Sequence, residues 1–136
     1  MTAVPAFFHD AQARIERALD RALVARFEGP PVVRDAMRYT LLAPSKRVRA
    51  MLTLVASDLC ATPASADAEP AAVAIEMVHA SSLILDDLPS MDDAPLRRGR
   101  PSCHVQFGEP VAILAAFRLV SDAFGVIAAG YEPALP

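Results

Sequence analysis

Glu76-Met77-Val78-His79-Ala80-Ser81-Ser82-Leu83-Ile84-Leu85-Asp86-Asp87-Leu88-Pro89-Ser90-Met91-Asp92-Asp93 is a largely apolar run that ends in four carboxylates. Its periodicity predicts a helix that starts near Pro70, a favourable first-turn residue, and runs to the aspartates. Pro89 has no N–H for the carbonyl of Leu85, so the helix must distort or end there. In an unbroken helix Asp86 and Asp92 would point in different directions; the break lets Asp92 swing back toward Asp86. Like charges packed this closely repel, and carboxylates at a helix C-terminus oppose its dipole. The segment is therefore either a solvated acidic helix end or a place where cations gather. Oxygen ligands without His or Cys favour Mg2+ or Ca2+ over zinc. An EF-hand is excluded, because its glycine and closing glutamate are missing.

Working outward, twelve prolines and only five glycines divide the 136 residues into proline-free runs of helical rather than alternating pattern. The first helix is expected at about residues 6–28, with Phe8, Ala11, Ile15, Ala18, Leu19, Ala22 and Leu23 on one stripe. The second spans about residues 32–42. The third follows Pro44, with Ser45 as N-cap, and continues through Val48, Leu52, Val55 and Leu59. A small-residue linker at 61–68 precedes the helix quoted above. The last helix, about 110–129, is apolar on most sides and is expected at the centre of the bundle. The fold class that follows is all-α, an antiparallel helical bundle in one domain over residues 1–136.

Two basic clusters flank the acidic segment. Leu96-Arg97-Arg98-Gly99-Arg100-Pro101 follows it directly; its guanidinium forks suit phosphate oxygens, or else they pair with the aspartates themselves. Lys46-Arg47-Val48-Arg49 opens the third helix, where Lys46 and Arg49 would share a face. This is either an exposed basic turn or an anion site. His79 lies on the face of Asp86, seven residues earlier, and reads as a packing residue or a ligand-binding one. Glu76 and Ser82 are weaker candidates. Ser81 and Ser82, about one turn before the aspartates, would leave room for a long apolar tail along this helix. Cys103-His104 lacks further zinc ligands at suitable spacing, and Arg118 with Asp122 reads as a surface pair.

Composition limits the classes. The charge of −3 says little about partners, and no nucleic-acid partner is expected. Residues 111–129 are interrupted by Arg118 and Asp122, which argues against a membrane span. The N-terminus does not read as a signal peptide. Cys60 and Cys103 have no metal-like spacing, so reduced thiols and a cytoplasmic location are expected.

The four motifs together, Lys46-Arg47-Val48-Arg49, Glu76-Met77-Val78-His79-Ala80, the run from Leu83 to Asp93, and Leu96-Arg97-Arg98-Gly99-Arg100-Pro101, resemble the trans-prenyl diphosphate synthases, most of all bacterial geranylgeranyl diphosphate synthases. The likeness extends from Arg38 to about Ala129. It implies an isoprenoid-synthase fold and a Mg2+-dependent prenyltransferase that condenses isopentenyl diphosphate with an allylic diphosphate. By the same resemblance Asp86 and Asp92 hold Mg2+, with Asp87 and Asp93 in support, and Arg97 holds the allylic diphosphate. Lys46, Arg49, His79 and Arg98 would hold isopentenyl diphosphate. Ser45 and Ala50 depart mildly from the family's glycine and proline around the basic motif. Family enzymes also continue into a second aspartate-rich helix, so the expectation is a truncated member. It is expected to be a prenyltransferase, or else a non-catalytic truncated homologue without a stable fold of its own or a small regulatory subunit; a homodimer or a heterodimer with a full-length synthase is expected.

Family members with a bulky aromatic at the position of Ser81 tend to stop at fifteen carbons, so serine there implies the twenty-carbon class. Replacing Ser81 with Tyr is expected to shorten the prenyl product; an unchanged profile on product chromatography would count against that role.

Overall fold

The computed structural model describes residues 6–26, 28–60 and 67–131. They form α1 (Ala6–Arg26), α2 (Pro31–Leu41), α3 (Val48–Cys60), α4 (Glu69–Asp86), a two-residue pair of strands β1 (Leu96–Arg97) and β2 (Arg100–Pro101), a short α5 (Cys103–Phe107) and α6 (Glu109–Gly130). The fold is all-α, as its helical periodicity predicts. The linker expected at 61–68 lies for the most part outside the described residues.

Helix α4 is the axis of the bundle, touching α1, α2, α3 and α6. It buries Ala72, Val73, Ala74, Met77, Ala80 and Ile84, and two polar side chains, Glu76 and Ser81, go in with them. From α1 it receives the predicted stripe: Ala11, Ile15, Ala18, Leu19 and Leu23 are buried, Ala22 is half-buried and Phe8 is exposed. From α2 come Val33, Ala36, Met37 and Leu41. The seam with α6 uses short side chains, which let two helices approach closely. At its far end Gly130 lies so near the ring of Pro70 that an added Cβ would sit 2.4 Å from Pro70 Cγ.

Four expectations are corrected. Helix α3 starts at Val48, not just after Pro44, so Lys46 is outside the helix and shares no helical face with Arg49. Ser45 is not its cap: Ser45 Oγ accepts from the N–H of Arg47 at 3.4 Å, and the carboxylate of Glu76 accepts from the N–H of Ala50 at 3.3 Å. A carboxylate from another helix thus meets the positive end of α3.

Helix α6 is not enclosed. One face buries Ala112, Ala115, Ala116, Leu119, Asp122 and Ala123, while Leu114, Phe117, Phe124 and Ile127 stand exposed. By length and composition it is also the one helix among the described residues that meets the requirement for crossing a membrane. It nevertheless carries an ion pair, and that pair is not a surface contact: Asp122 is buried and accepts from Arg118 Nε at 2.8 Å. Arg118 Nη1 donates in turn to the carbonyl of Glu28, fastening α6 to the segment that leads into α2. The hairpin and α5 were not anticipated.

Gly130→Ala is expected to push α6 off the Pro70 ring and cost about 1–3 kcal/mol of stability, the range for overpacking. Chemical denaturation of the purified chain checks this; an unchanged midpoint would mean that the seam yields at that end.

Candidate functional site

The acidic turn folds back as Pro89 requires. After α4 ends at Asp86, the N–H of Leu88 bonds the carbonyl of Leu85 at 3.2 Å and that of Met91 bonds Leu88 at 2.9 Å. The N–H of Asp92 then donates to the carbonyl of Asp86 at 2.9 Å, so the two residues meet across the turn. Asp93 sits in the left-handed region at φ 47°, its N–H on the carbonyl of Leu88.

The four carboxylates have different fates. Asp87 is 2% exposed and accepts from Arg97 Nε at 3.1 Å on both oxygens and from Arg97 Nη2. The basic segment therefore pairs with the acidic one at this position, one of the two arrangements its sequence allows. Arg97 is pushed further toward the charged form, first by these hydrogen bonds, against an opposing effect of burial, and then by the nearby charges of Asp87, Asp86 and Asp92. Asp86 is half-buried, Asp92 and Asp93 are exposed, and no cationic side chain pairs with these three among the described residues.

Arg97 and Arg98 stand on the strand pair. Leu96 pairs with Pro101 and Arg97 with Arg100, while Arg98 (φ 54°) and Gly99 (φ 76°) make the turn. Left-handed conformation at both central residues matches the twist of a two-residue hairpin and is easy only for glycine at the second. Tyr39 of α2 braces the hairpin. Its hydroxyl donates to the carbonyl of Pro101 at 2.9 Å, the Arg100 guanidinium lies 4.2 Å from its ring centroid, and its ring meets Phe107 edge-on at 5.3 Å. Nothing in the sequence marked Tyr39.

A groove of about 370 Å³ is lined by Pro44, Lys46, Arg49, Glu76, His79 and Arg98, among others. Three chain segments far apart in sequence thus bring together all four residues assigned to one diphosphate by resemblance. Among the described residues no carboxylate pairs with Lys46, Arg49 or Arg98; Arg98 Nη1 donates to the carbonyl of Pro44 at 3.0 Å. His79 lies below its ordinary value of 6.5. Burial is the first cause and the charge of Arg49 the second, with Arg98 and Arg47 adding and Glu76 opposing.

Arg98 also borders a second, smaller cavity of about 110 Å³, where Tyr39, Thr40, Leu83, Asp87 and Cys103 line a mostly apolar wall. Burial pushes the Cys103 thiol up, which keeps it protonated and inert. Ser81, 2% exposed, is turned inward with Met77 and Ile84, whereas Ser82 is exposed and donates to the carbonyl of His79 at 2.9 Å. Ile75, Val78 and Ser82 form the open face of α4.

A family model described as Polyprenyl synthetase matches residues 30–134. The chain belongs to the polyprenyl synthetase family. It is 56% identical over 117 residues to the geranylgeranyl diphosphate synthase of Pantoea ananas, a stretch covering 85% of this chain and 38% of that protein. It is 50% identical over 110 residues to the heterodimeric geranylgeranyl pyrophosphate synthase large subunit 1 of Arabidopsis thaliana, covering 81% of this chain and 29% of the relative. Among solved structures, the geranyltransferase of Legionella pneumophila superposes with a TM-score of 0.87 at 36% identity, covering 96% of this chain and 45% of that one. The chain thus spans less than half the length of these relatives. The match in structure makes the bundle part of an isoprenoid-synthase fold.

Members of this polyprenyl synthetase family are generally Mg2+-dependent, and the donor set suits that ion. Among the described residues no three His, Cys, Asp or Glu side chains gather into a ready metal cage. Mg2+ does not need one: it keeps several water or phosphate ligands and takes only one or two carboxylates, which Asp86 and Asp92 offer. Asp87, proposed with them by resemblance, is committed to Arg97 in this arrangement.

The sign for His79 follows from its lowered value. As pH falls below 6.5 the unfolded chain takes up the proton first, so His79 subtracts stability there and contributes nothing above. A polyanion in the groove would raise it again. Proton NMR is expected to find the His79 midpoint below 6.5 and to see it climb when inorganic pyrophosphate is added. A midpoint indifferent to pyrophosphate would separate His79 from any anion site.

Proposed function

We infer that this polyprenyl synthetase chain serves in a prenyltransferase of isoprenoid biosynthesis that condenses isopentenyl diphosphate with an allylic diphosphate, with geranylgeranyl diphosphate as product. The observation that carries the reading is the groove in which Lys46, Arg49 and Arg98, without a carboxylate partner among the described residues, meet His79, while Arg97, next to Arg98 on the hairpin, pairs with Asp87 of the acidic turn.

The roles follow from charge and reach. Lys46, Arg49, His79 and Arg98 bind the diphosphate of isopentenyl diphosphate and leave its double bond to react. Arg97, one residue away on the same hairpin, takes the allylic diphosphate through whichever donors Asp87 leaves free. Mg2+ held by Asp86 and Asp92, with Asp93 at hand, would supply neutralisation of the charge that builds on the leaving diphosphate. Fixed guanidinium groups act in the same direction and need no reorganisation as the carbon–oxygen bond breaks. The open face of α4, with Ile75, Val78 and Ser82, offers the prenyl tail an apolar wall, and the short side chain of Ser82 leaves room along it for a long tail. No side-chain nucleophile is needed, because the alkene of isopentenyl diphosphate attacks the allylic carbon and a proton is then lost.

A second reading is a non-catalytic subunit that binds a full-length synthase. The exposed Leu114, Phe117, Phe124 and Ile127 on α6 favour it, since an apolar face of this kind seeks cover. The Arabidopsis relative is by its name one subunit of a heterodimer.

One assay separates the two: purified chain, Mg2+, radiolabelled isopentenyl diphosphate and farnesyl diphosphate. Turnover that falls at least about a hundredfold in Asp86→Ala is expected for the enzyme, the scale for losing a metal-positioning group. No turnover, together with co-elution with a full-length synthase on size exclusion, would favour the subunit.

A further inference from the structure

Arg47 lies in the middle of the basic motif yet does not line up with its neighbours. It is 5% exposed, while Lys46 and Arg49 on either side are exposed. Its backbone is left-handed at φ 49°, a conformation that strains a side-chain-bearing residue and persists only where the surroundings enforce it. Those surroundings are five acceptors. Nε donates to Glu16 Oε1 at 2.7 Å and Nη2 to Glu16 Oε2 at 3.1 Å. Nη1 reaches Glu76 Oε2 at 3.4 Å, and Nη2 also bonds the carbonyls of Leu41 at 2.7 Å and Ala43 at 3.3 Å. One guanidinium thus ties α1, the end of α2 and α4 together at the point where α3 begins. The carbonyl of Ser45 is held too, by Gln12 Nε2 at 2.9 Å.

We propose that Arg47 is a positioning residue: its buried fork, clamped by Glu16 and Glu76, turns the chain so that Lys46 and Arg49 face His79 and Arg98 across the groove. This rests on the groove being a diphosphate site, as argued under the proposed function. The clamp has an electrostatic side as well. Among the described residues Glu76 is the one carboxylate that lines the groove, and Arg47, which lines it too, engages it, as does the N–H of Ala50. The groove's other cations therefore keep their charge for a ligand.

Glu16 gives a test that does not touch the groove, since it stands on α1 and lines no part of it. Simple Coulomb reasoning says that Glu16→Gln, by removing a negative charge, tightens anion binding; loss of the clamp says the opposite. Glu16→Asp keeps the charge and shortens the reach, so it isolates the geometric part. Titration calorimetry of the full chain with inorganic pyrophosphate is expected to show Kd raised by about tenfold in Glu16→Gln and by several-fold in Glu16→Asp. Circular dichroism confirms that each variant is folded. If wild type binds pyrophosphate and both variants bind it equally or more tightly, the positioning role is overturned. A lower melting temperature with unchanged Kd overturns it too, because the clamp would then be structural only. If wild type itself does not bind pyrophosphate, the groove reading falls and takes this inference with it.

Discussion

Helix α4 can hold the site only because α6 lies close against it. The buried side chains that α6 brings to the bundle are mostly alanines (Ala112, Ala115, Ala116 and Ala123), and α4 meets them with Ala72, Ala74 and Ala80 among its own. Each alanine buries little area, so the seam draws its strength from many backbone-level dispersion contacts at short range. A seam of this kind tolerates little change in volume. It fixes where α4 ends, and the end of α4 decides where Asp86 stands and where the chain turns back with Asp92.

Helix α4 and the residue that caps its end carry two buried carboxylates, Glu76 and Asp87, and each is answered by an arginine from another segment: Arg47 for the first, Arg97 for the second. A buried charge without a partner would be costly, so these pairs must form for the helix to sit where it does. Their formation sorts the charged residues into two populations. Arg47, Glu16, Glu76, Asp87 and part of Arg97 are spent on structure. Lys46, Arg49, Arg98, Asp86, Asp92 and Asp93 remain at the surface of the groove and the turn, available to a ligand. In sequence the two populations alternate within the same short motifs, and residue type alone does not separate them.

That alternation explains what could and could not be read in advance. Prolines and helical periodicity were enough for α1, α2 and α4, because both act locally. The break at Pro89 and the approach of Asp92 to Asp86 were legible for the same reason, since a missing N–H is a local fact. The start of α3 was not: its cap comes from Glu76, twenty-six residues on in the chain. The inward turn of Arg47 depends on Glu16 and Glu76, both remote, and no pattern in the basic motif distinguishes it from Lys46 or Arg49. The openness of α6 escaped a reading based on its hydrophobicity, which reports how much surface wants cover and not whether this segment of the fold provides it. Arg118 with Asp122 read as a surface pair because spacing on one helix says nothing about the neighbour that buries Asp122.

Backbone conformation points to the same place by a different route. Among the described residues the non-glycine residues with positive φ are Arg47, Asp93 and Arg98. Each lies in a segment that presents charge to the groove or the acidic turn, and none lies in the helical scaffold. Aspartate tolerates the left-handed region better than most, and Asp93 is further held by its N–H on Leu88. Arg98 gains from the glycine beside it and from its own bond to the carbonyl of Pro44. Arg47 has neither a tolerant side chain nor a neighbouring glycine, so its compensation must come from the fork of acceptors around its guanidinium. At Arg47 the strain is offset by bonds that reach into the bundle, an arrangement that fits the preorganised anion site proposed for the groove.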